Sequence, residues 1–167
     1  MERNLYLNKL IRKKNNGLIK VITGIRRSGK TYLLFELFYD YLIKSGVDKD
    51  HIIKIALDDR INKKYRDPDN LCEYVHDVVK DDQIYYVLLD EVQMVSEFED
   101  VLNSFLHMKN VDTYVTGSNA KFLSKDIITE FRGRGDQVHL FPLSFAEYMS
   151  GKGIDRQQAW QEYTMYG

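Results

Sequence analysis

The stretch Gly24-Ile25-Arg26-Arg27-Ser28-Gly29-Lys30-Thr31 fits G-x-x-x-x-G-K-[ST] and lies between two segments of different periodicity. Ahead of it, Leu18-Ile19-Lys20-Val21-Ile22 reads as a short buried strand. Behind it, residues 31–44 carry Leu33, Leu34, Leu37, Phe38, Tyr41 and Leu42 at helical spacing. A strand that passes through a glycine-bearing loop straight into an amphipathic helix leaves few folds open. The strand must find parallel neighbours, and the helix must cover one face of the sheet they form.

The loop carries its chemistry in the main chain. Glycines let it curl until consecutive N–H groups point inward, and the start of the helix adds partial positive charge, so the preferred ligand is a polyphosphate. The amides of Arg27, Ser28, Gly29, Lys30 and Thr31 are the expected donors, with Gly24, Ile25 and Arg26 completing the loop and Tyr32 opening the helix. The Lys30 ammonium is expected on the β- and γ-phosphates of ATP, and the Thr31 hydroxyl on Mg²⁺. The side chains of Arg26 and Arg27 read as solvated loop residues rather than phosphate contacts, since this loop type works through its amides.

Alternation continues along the chain. Apolar runs at 18–23, 51–57, 84–89, 111–116 and 137–141 predict five strands, separated by helical patterns such as Leu71, Tyr74, Val75, Val78 and Val79, and Phe98, Val101, Leu102, Phe105 and Leu106. Right-handed crossovers then give a parallel sheet covered on both faces, an α/β three-layer sandwich. Asp67 before Pro68 predicts a capped helix start, Ser96 with Glu99 and Ser144 with Glu147 each match a capping box, and Gly46 closes the first long helix. After the fifth strand there is room for helices near 145–149 and 155–166, the last carrying Trp160, Tyr163, Met165 and Tyr166.

Composition narrows the function classes. An apolar content of 44% suits a packed domain rather than a disordered chain, and 167 residues make one domain. With net charge −1 there is no overall basic footprint for nucleic acid, and Arg12-Lys13-Lys14 and Asn62-Lys63-Lys64 read as solvated surface. Cys72 is the only cysteine, which excludes an internal disulfide and a cysteine-based metal site. His51, His76, His107 and His139 lack metal-ligand spacing. The longest uncharged apolar run, at 84–89, is too short to cross a bilayer, so no membrane partner and a cytoplasmic location are expected.

Tyr85-Tyr86-Val87-Leu88-Leu89-Asp90-Glu91 is an apolar strand ending in two carboxylates. A hydrolase with this loop needs both: Asp90 to hold a water ligand of magnesium, and Glu91 to orient and polarise the attacking water. The next strand ends in Gly117-Ser118-Asn119, where Ser118 or Asn119 could fix that water; a plain turn with either residue capping a helix is the equal alternative.

Taken in order, the loop, Leu88-Leu89-Asp90-Glu91-Val92-Gln93, Thr116-Gly117-Ser118-Asn119-Ala120, Gly133-Arg134 and Phe141-Pro142-Leu143-Ser144-Phe145-Ala146-Glu147-Tyr148 resemble the AAA+ superfamily ATPases of bacteria and archaea known simply as ATP-binding proteins. The resemblance covers essentially the whole chain. It implies a P-loop NTPase core with a five-stranded sheet in the order 5-1-4-3-2, which sets the Ser118 strand between the P-loop strand and the Asp90-Glu91 strand. It implies that residues 1–167 are an AAA+ domain of a longer protein, continuing past Tyr166-Gly167 into a C-terminal domain, with no separate helical lid here. It also implies an arginine near Gly133-Arg134 that reaches a γ-phosphate, sometimes across a subunit interface; Arg132 and Arg134 are both candidates, and a surface arginine in a turn is equally open. Gln93 either assists the water or hydrogen-bonds its loop, and Asp58 and Asp59 end the second strand near the same face.

Three readings follow. The leading one is an ATPase module that binds MgATP and hydrolyses it to ADP and phosphate. The second is a nucleotide-switched module that grips DNA or a protein, with self-association or a C-terminal region supplying contacts and slow or no turnover. The third is a small-molecule kinase, with Asp58 or Asp59 near an acceptor hydroxyl; the water-activating Glu91 and the want of an arginine-rich lid count against it.

Overall fold

The computed structural model describes residues 3–118, 133–142, 144, 147, 149 and 155–166. Strands β1 (Ile19–Thr23), β2 (Ile52–Ala56), β3 (Tyr85–Asp90), β4 (Val111–Thr116) and β5 (Gly135–His139) form one sheet in the order β2-β3-β4-β1-β5. Every neighbouring pair is parallel. This is the expected 5-1-4-3-2 order read from the other edge. The fifth strand lies two residues earlier than its apolar run suggested. Its ladder pairs Ile19 with Gly135 and Thr23 with His139, so it stops where β1 turns into the loop.

Alternate residues of each strand serve opposite layers. Ile19, Val21, Val87, Leu89 and Val115 pack with Leu71 and Val75 of α3 (Pro68–Val78) and with Phe98, Val101, Leu102 and Phe105 of α4 (Phe98–Leu106). Ile22, Tyr86, Leu88, Tyr114 and Val138 pack on the other side, against Leu10 of α1 (Asn4–Arg12) and Leu33, Leu34, Phe38 and Leu42 of α2 (residues 30–44). The α2 segment has α-helical turns at Lys30–Tyr32 and Tyr39–Lys44 around a π-helical stretch, Leu33–Phe38. The apolar spacing there fits a 3.6-residue period as well as a wider turn, so the sequence did not distinguish them. The final helix, α5 (Arg156–Tyr166), buries Ala159 while Trp160 is exposed.

Capping chemistry explains several boundaries. Asp67 accepts the Asn70 N–H at 3.0 Å with Pro68 in the first turn. Ser144 and Glu147 form the reciprocal box: the Ser144 N–H donates to Glu147 Oε2 at 2.8 Å, and the Glu147 N–H donates to Ser144 Oγ at 3.3 Å. Gly46, at φ +95°, ends α2, with the Val47 N–H returning to the Leu42 carbonyl. The Ser96–Glu99 box does not form. Instead α4 starts after Glu97 in a left-handed conformation without a side-chain cap, and the Ser96 N–H is spent on the Arg66 carbonyl. Helix α1, absent from the sequence reading, also starts without a side-chain cap, at Arg3.

Candidate functional site

The strand order sets three C-terminal ends side by side: β1 with the glycine loop, β4 with Thr116 to Ser118, and β3 with Asp90 and Glu91. Crevices at this edge are where open α/β sheets hold ligands. The loop needs its glycines. Gly24 is at φ +151°, and a Cβ on it would lie 2.6 Å from the Leu140 carbonyl oxygen and 2.7 Å from Ser28 Oγ. Gly29 takes φ +87° immediately before α2. Between them the Ser28 N–H closes a turn on the Ile25 carbonyl at 3.2 Å, and Arg27 accepts φ +66°.

Lys30 is buried at the floor of the loop, its Nζ donating to the carbonyls of Gly24 at 3.1 Å and Ile25 at 2.9 Å. Burial pushes its ammonium below the usual lysine range, while Glu91 and Asp90 oppose that shift. Ser28 Oγ is buried with no hydrogen bond among the described residues. Thr31 and Tyr32 are exposed at the start of α2.

Thr31 Oγ1 donates to Asp90 Oδ2 at 2.8 Å, joining the loop to β3. Thr116 Oγ1 donates to Asp90 Oδ1 at 2.5 Å and accepts the Glu91 N–H at 2.9 Å. Burial raises the Asp90 carboxyl above the usual carboxylate range, against the lowering effect of these two hydroxyls. Glu91 adopts φ +55°, an unfavourable backbone for a residue with a side chain. Ser118 Oγ donates to Glu91 Oε2 at 2.8 Å and contacts Oε1 at 3.2 Å, and Gln93 Nε2 donates to Oε2. A cavity of about 350 Å³ opens beside this pair, lined by Arg26, Asp58, Glu91, Gln93, Met94 and Ser118.

The structure therefore brings together Gly24 through Thr31, Asp90, Glu91, Gln93, Asp58 and Ser118. It does not bring Arg134 to this loop. Its carbonyl accepts the Ile19 N–H at 2.8 Å, so Arg134 opens β5 beside the start of β1, at the opposite end of the parallel strands. Asp59 is a cap, accepting the Ile61 N–H at 3.1 Å. Asn119 and Arg132 lie outside the described residues, as does most of the helix expected near 145–149.

Two residues at or near the loop were missed. Thr116 looked like an ordinary strand residue; its position one strand over from an Asp-Glu pair was the available signal. Arg3 is buried behind the loop, both Nη atoms donating to the Phe141 carbonyl at 3.0 Å, and a Cβ on Gly29 would lie 3.8 Å from its Nε. Nothing local in Met1-Glu2-Arg3 announces that role. Among the described residues no cluster of three or more His, Cys, Asp and Glu side chains is arranged to hold a metal by itself. No helix among them is long and apolar enough to cross a membrane.

Residues 16–149 match the family model described as "AAA domain". Over 173 aligned residues the chain is 32% identical to an uncharacterized protein of Haemophilus influenzae, covering all of this chain and 43% of that one. An uncharacterized protein of Methanocaldococcus jannaschii is 32% identical over 141 residues, 82% of this chain and 29% of that one. The chain thus spans less than half the length of either relative. Among solved structures, a DNA polymerase III gamma subunit-related protein of Thermotoga maritima superposes with TM-score 0.61 at 14% identity, over 98% of this chain and 58% of that one. The Aeropyrum pernix ORC1 protein in complex with DNA gives 0.58 at 13% identity, over 96% and 50%. AMPPCP-bound DnaA from Aquifex aeolicus gives 0.52 at 16% identity, over 89% and 50%. At these identities the structural likeness speaks for the shared fold.

Proposed function

The chain belongs to the AAA domain family, and from that premise we propose that it binds MgATP and hydrolyses it to ADP and phosphate. One observation carries the reading: Thr31 Oγ1 of the loop and Asp90 Oδ2 of β3 meet at 2.8 Å, so a phosphate cradle and a hard carboxylate oxygen share one point. Hard oxygen donors beside a polyphosphate suit magnesium. Thr31 and Asp90 would hold it, Asp90 through a water, and the ion would supply charge neutralisation at the β- and γ-phosphates.

The residues divide the remaining work. Loop amides from Arg27 to Thr31 bind phosphate oxygens, and Lys30 exchanges its two backbone carbonyls for the β- and γ-phosphates. Glu91 accepts a hydrogen bond from the attacking water, with Ser118 and Gln93 fixing the carboxylate's orientation. The water oxygen bonds to the γ-phosphorus, the bond to the bridging oxygen breaks with its electron pair leaving on ADP, and one of the water's protons departs through Glu91 while the other stays on the phosphate.

Lys30→Ala should abolish saturable binding of labelled magnesium-triphosphate by a folded sample. Glu91→Gln should keep binding and lose phosphate release; release unchanged in Glu91→Gln would remove Glu91 from this role.

A second reading, a nucleotide-switched binding module with slow turnover, is favoured by the engagement of both Glu91 carboxylate oxygens by neighbouring side chains. Solved structures of like fold include DNA complexes, so DNA is a fitting partner, with the length found in the relatives but not in this chain as the proposed source of further contacts. Equal partner affinity in ATP, ADP and nucleotide-free states would exclude the switch.

A further inference from the structure

Among the described residues, the cavity beside Glu91 is lined by a cation that the chemistry above leaves unused. Arg26 lines it with Asp58, Glu91, Gln93, Met94 and Ser118. The turn closed between Ser28 and Ile25 sets Arg26 at its apex, and the left-handed Arg27 completes that turn. Arg26 is exposed and makes no hydrogen bond or ion pair among the described residues, although two carboxylates line the same space. Its neighbour Glu91 is occupied by Ser118 and Gln93. The guanidinium therefore offers a planar set of donors on the side of the loop that faces the water-orienting carboxylate.

Charge makes that position consequential. A γ-phosphate entering between Lys30 and Glu91 meets negative charge from Asp58, Asp90 and Glu91, and negative charge builds further on its equatorial oxygens as the bond to ADP stretches. Lys30 approaches from the loop floor. Arg134 stands at the other end of the strands and supplies nothing to its own loop.

We propose that Arg26 is a catalytic residue acting in cis, donating to the γ-phosphate oxygens within its own chain and offsetting the carboxylates around them. This rests on the ATPase reading and adds to it. It also reverses the sequence-based view of Arg26 as a solvated loop side chain. Mass and charge balance as before: one triphosphate and one water give one diphosphate, one phosphate and one proton, with Arg26 keeping its protons.

The test compares the wild-type chain with Arg26→Gln and Arg26→Lys. Each is titrated with magnesium-ADP and with magnesium-ADP plus beryllium fluoride, a γ-phosphate mimic, and phosphate release from ATP is followed over a range of protein concentrations. In Arg26→Gln, ADP affinity should stay within about twofold while preference for the mimic drops roughly tenfold or more, the size of one lost charge-assisted contact. Turnover should fall by roughly 10³-fold, as when an arginine finger is removed, with Arg26→Lys recovering part. Wild-type turnover per molecule should not change with concentration.

Arg26→Gln matching wild type in mimic preference and turnover would overturn the role while leaving the ATPase reading intact. Equal loss of ADP and mimic binding would also overturn it, since the effect would then lie in the loop and not at the γ-phosphate. So would wild-type turnover per molecule that climbs with concentration and is unaltered in Arg26→Gln, which would assign the arginine to a second copy. A wild-type chain that binds neither nucleotide would overturn the ATPase reading itself, and this role with it.

Discussion

Thr116 Oγ1 donates to Asp90 Oδ1 at 2.5 Å, from the end of β4 to the end of β3. The same oxygen accepts the Glu91 N–H at 2.9 Å, so one hydroxyl sets both the carboxylate proposed for magnesium and the main chain of the residue proposed for water. Asp90 has its other oxygen on Thr31, which leaves it held from both sides.

Thr116→Val keeps the shape and removes both contacts. It should cost about 1–3 kcal/mol of stability, because the buried Asp90 oxygen and the Glu91 N–H lose a partner. It should also lower phosphate release more than it lowers nucleotide affinity. Denaturant midpoints and single-turnover rates check both parts; a change in affinity alone would show that Thr116 does not orient Glu91.

Ser118→Ala frees one side of the Glu91 carboxylate while leaving the loop untouched. Nucleotide affinity should hold, and phosphate release should fall roughly tenfold, less than the about 10²–10⁴-fold credited to a general base as a whole. If release instead rises, Ser118 restrains Glu91 rather than positioning it, and the switch reading gains.

Gly24→Ala forces a Cβ to within 2.6 Å of the Leu140 carbonyl oxygen, a backbone atom that cannot step aside freely. The strain, about 1–3 kcal/mol, corresponds to roughly 5- to 150-fold in nucleotide affinity if it is relieved by opening the loop. Isothermal titration of the variant measures it.

Lys20 is a cation in the middle of a buried strand, paired with Asp112 and also donating to the Leu18 carbonyl at 2.8 Å; Tyr114 donates to the second Asp112 oxygen at 2.7 Å. Lys20→Met leaves Asp112 charged and buried without its counter-charge, an expected loss of about 3–5 kcal/mol. Adding Asp112→Asn should restore part of it. A double variant no better than the single one would show that packing, and not the unpaired charge, sets the cost.

Burial lowers the Lys20 ammonium below its usual value of 10.5, with Asp112 opposing the shift less strongly. Between the lowered folded value and 10.5 the unfolded chain holds a proton that the folded chain lacks, so stability from this group should increase as pH rises through that window. The stability difference between wild type and Lys20→Met, followed by urea unfolding as pH approaches 10.5, reports the sign. A wild-type advantage that shrinks with rising pH would mean that the ion pair outweighs burial.

Local signals carried the frame of this protein. Gly24 and Gly29 supply backbone freedom only at the positions where a phosphate loop bends, and their spacing from Lys30 and Thr31 is readable without any partner. Alternating apolar periods marked every strand and most helices, while Asp67-Pro68, Gly46 and Ser144 with Glu147 marked ends, because caps act within a few residues of themselves. The strand order was reached by family resemblance and not by periodicity, since periodicity shows a strand's faces but not its neighbours.

Tertiary structure decided the matters that depend on distant partners. Helix α1 has no local cap and is tied in through Arg3 and the Phe141 carbonyl, 138 residues away; Lys20 is tolerated in a buried strand because Asp112, 92 residues on, lies within reach. Arg134 and Arg26 separated for the same reason. Parallel register puts the start of β5 beside the start of β1, and hence Arg134 far from the loop that follows the end of β1, while the turn of that loop turns Arg26 toward Glu91. A sequence states which charges a chain carries, but the direction and register of its strands determine which end of the sheet each one serves.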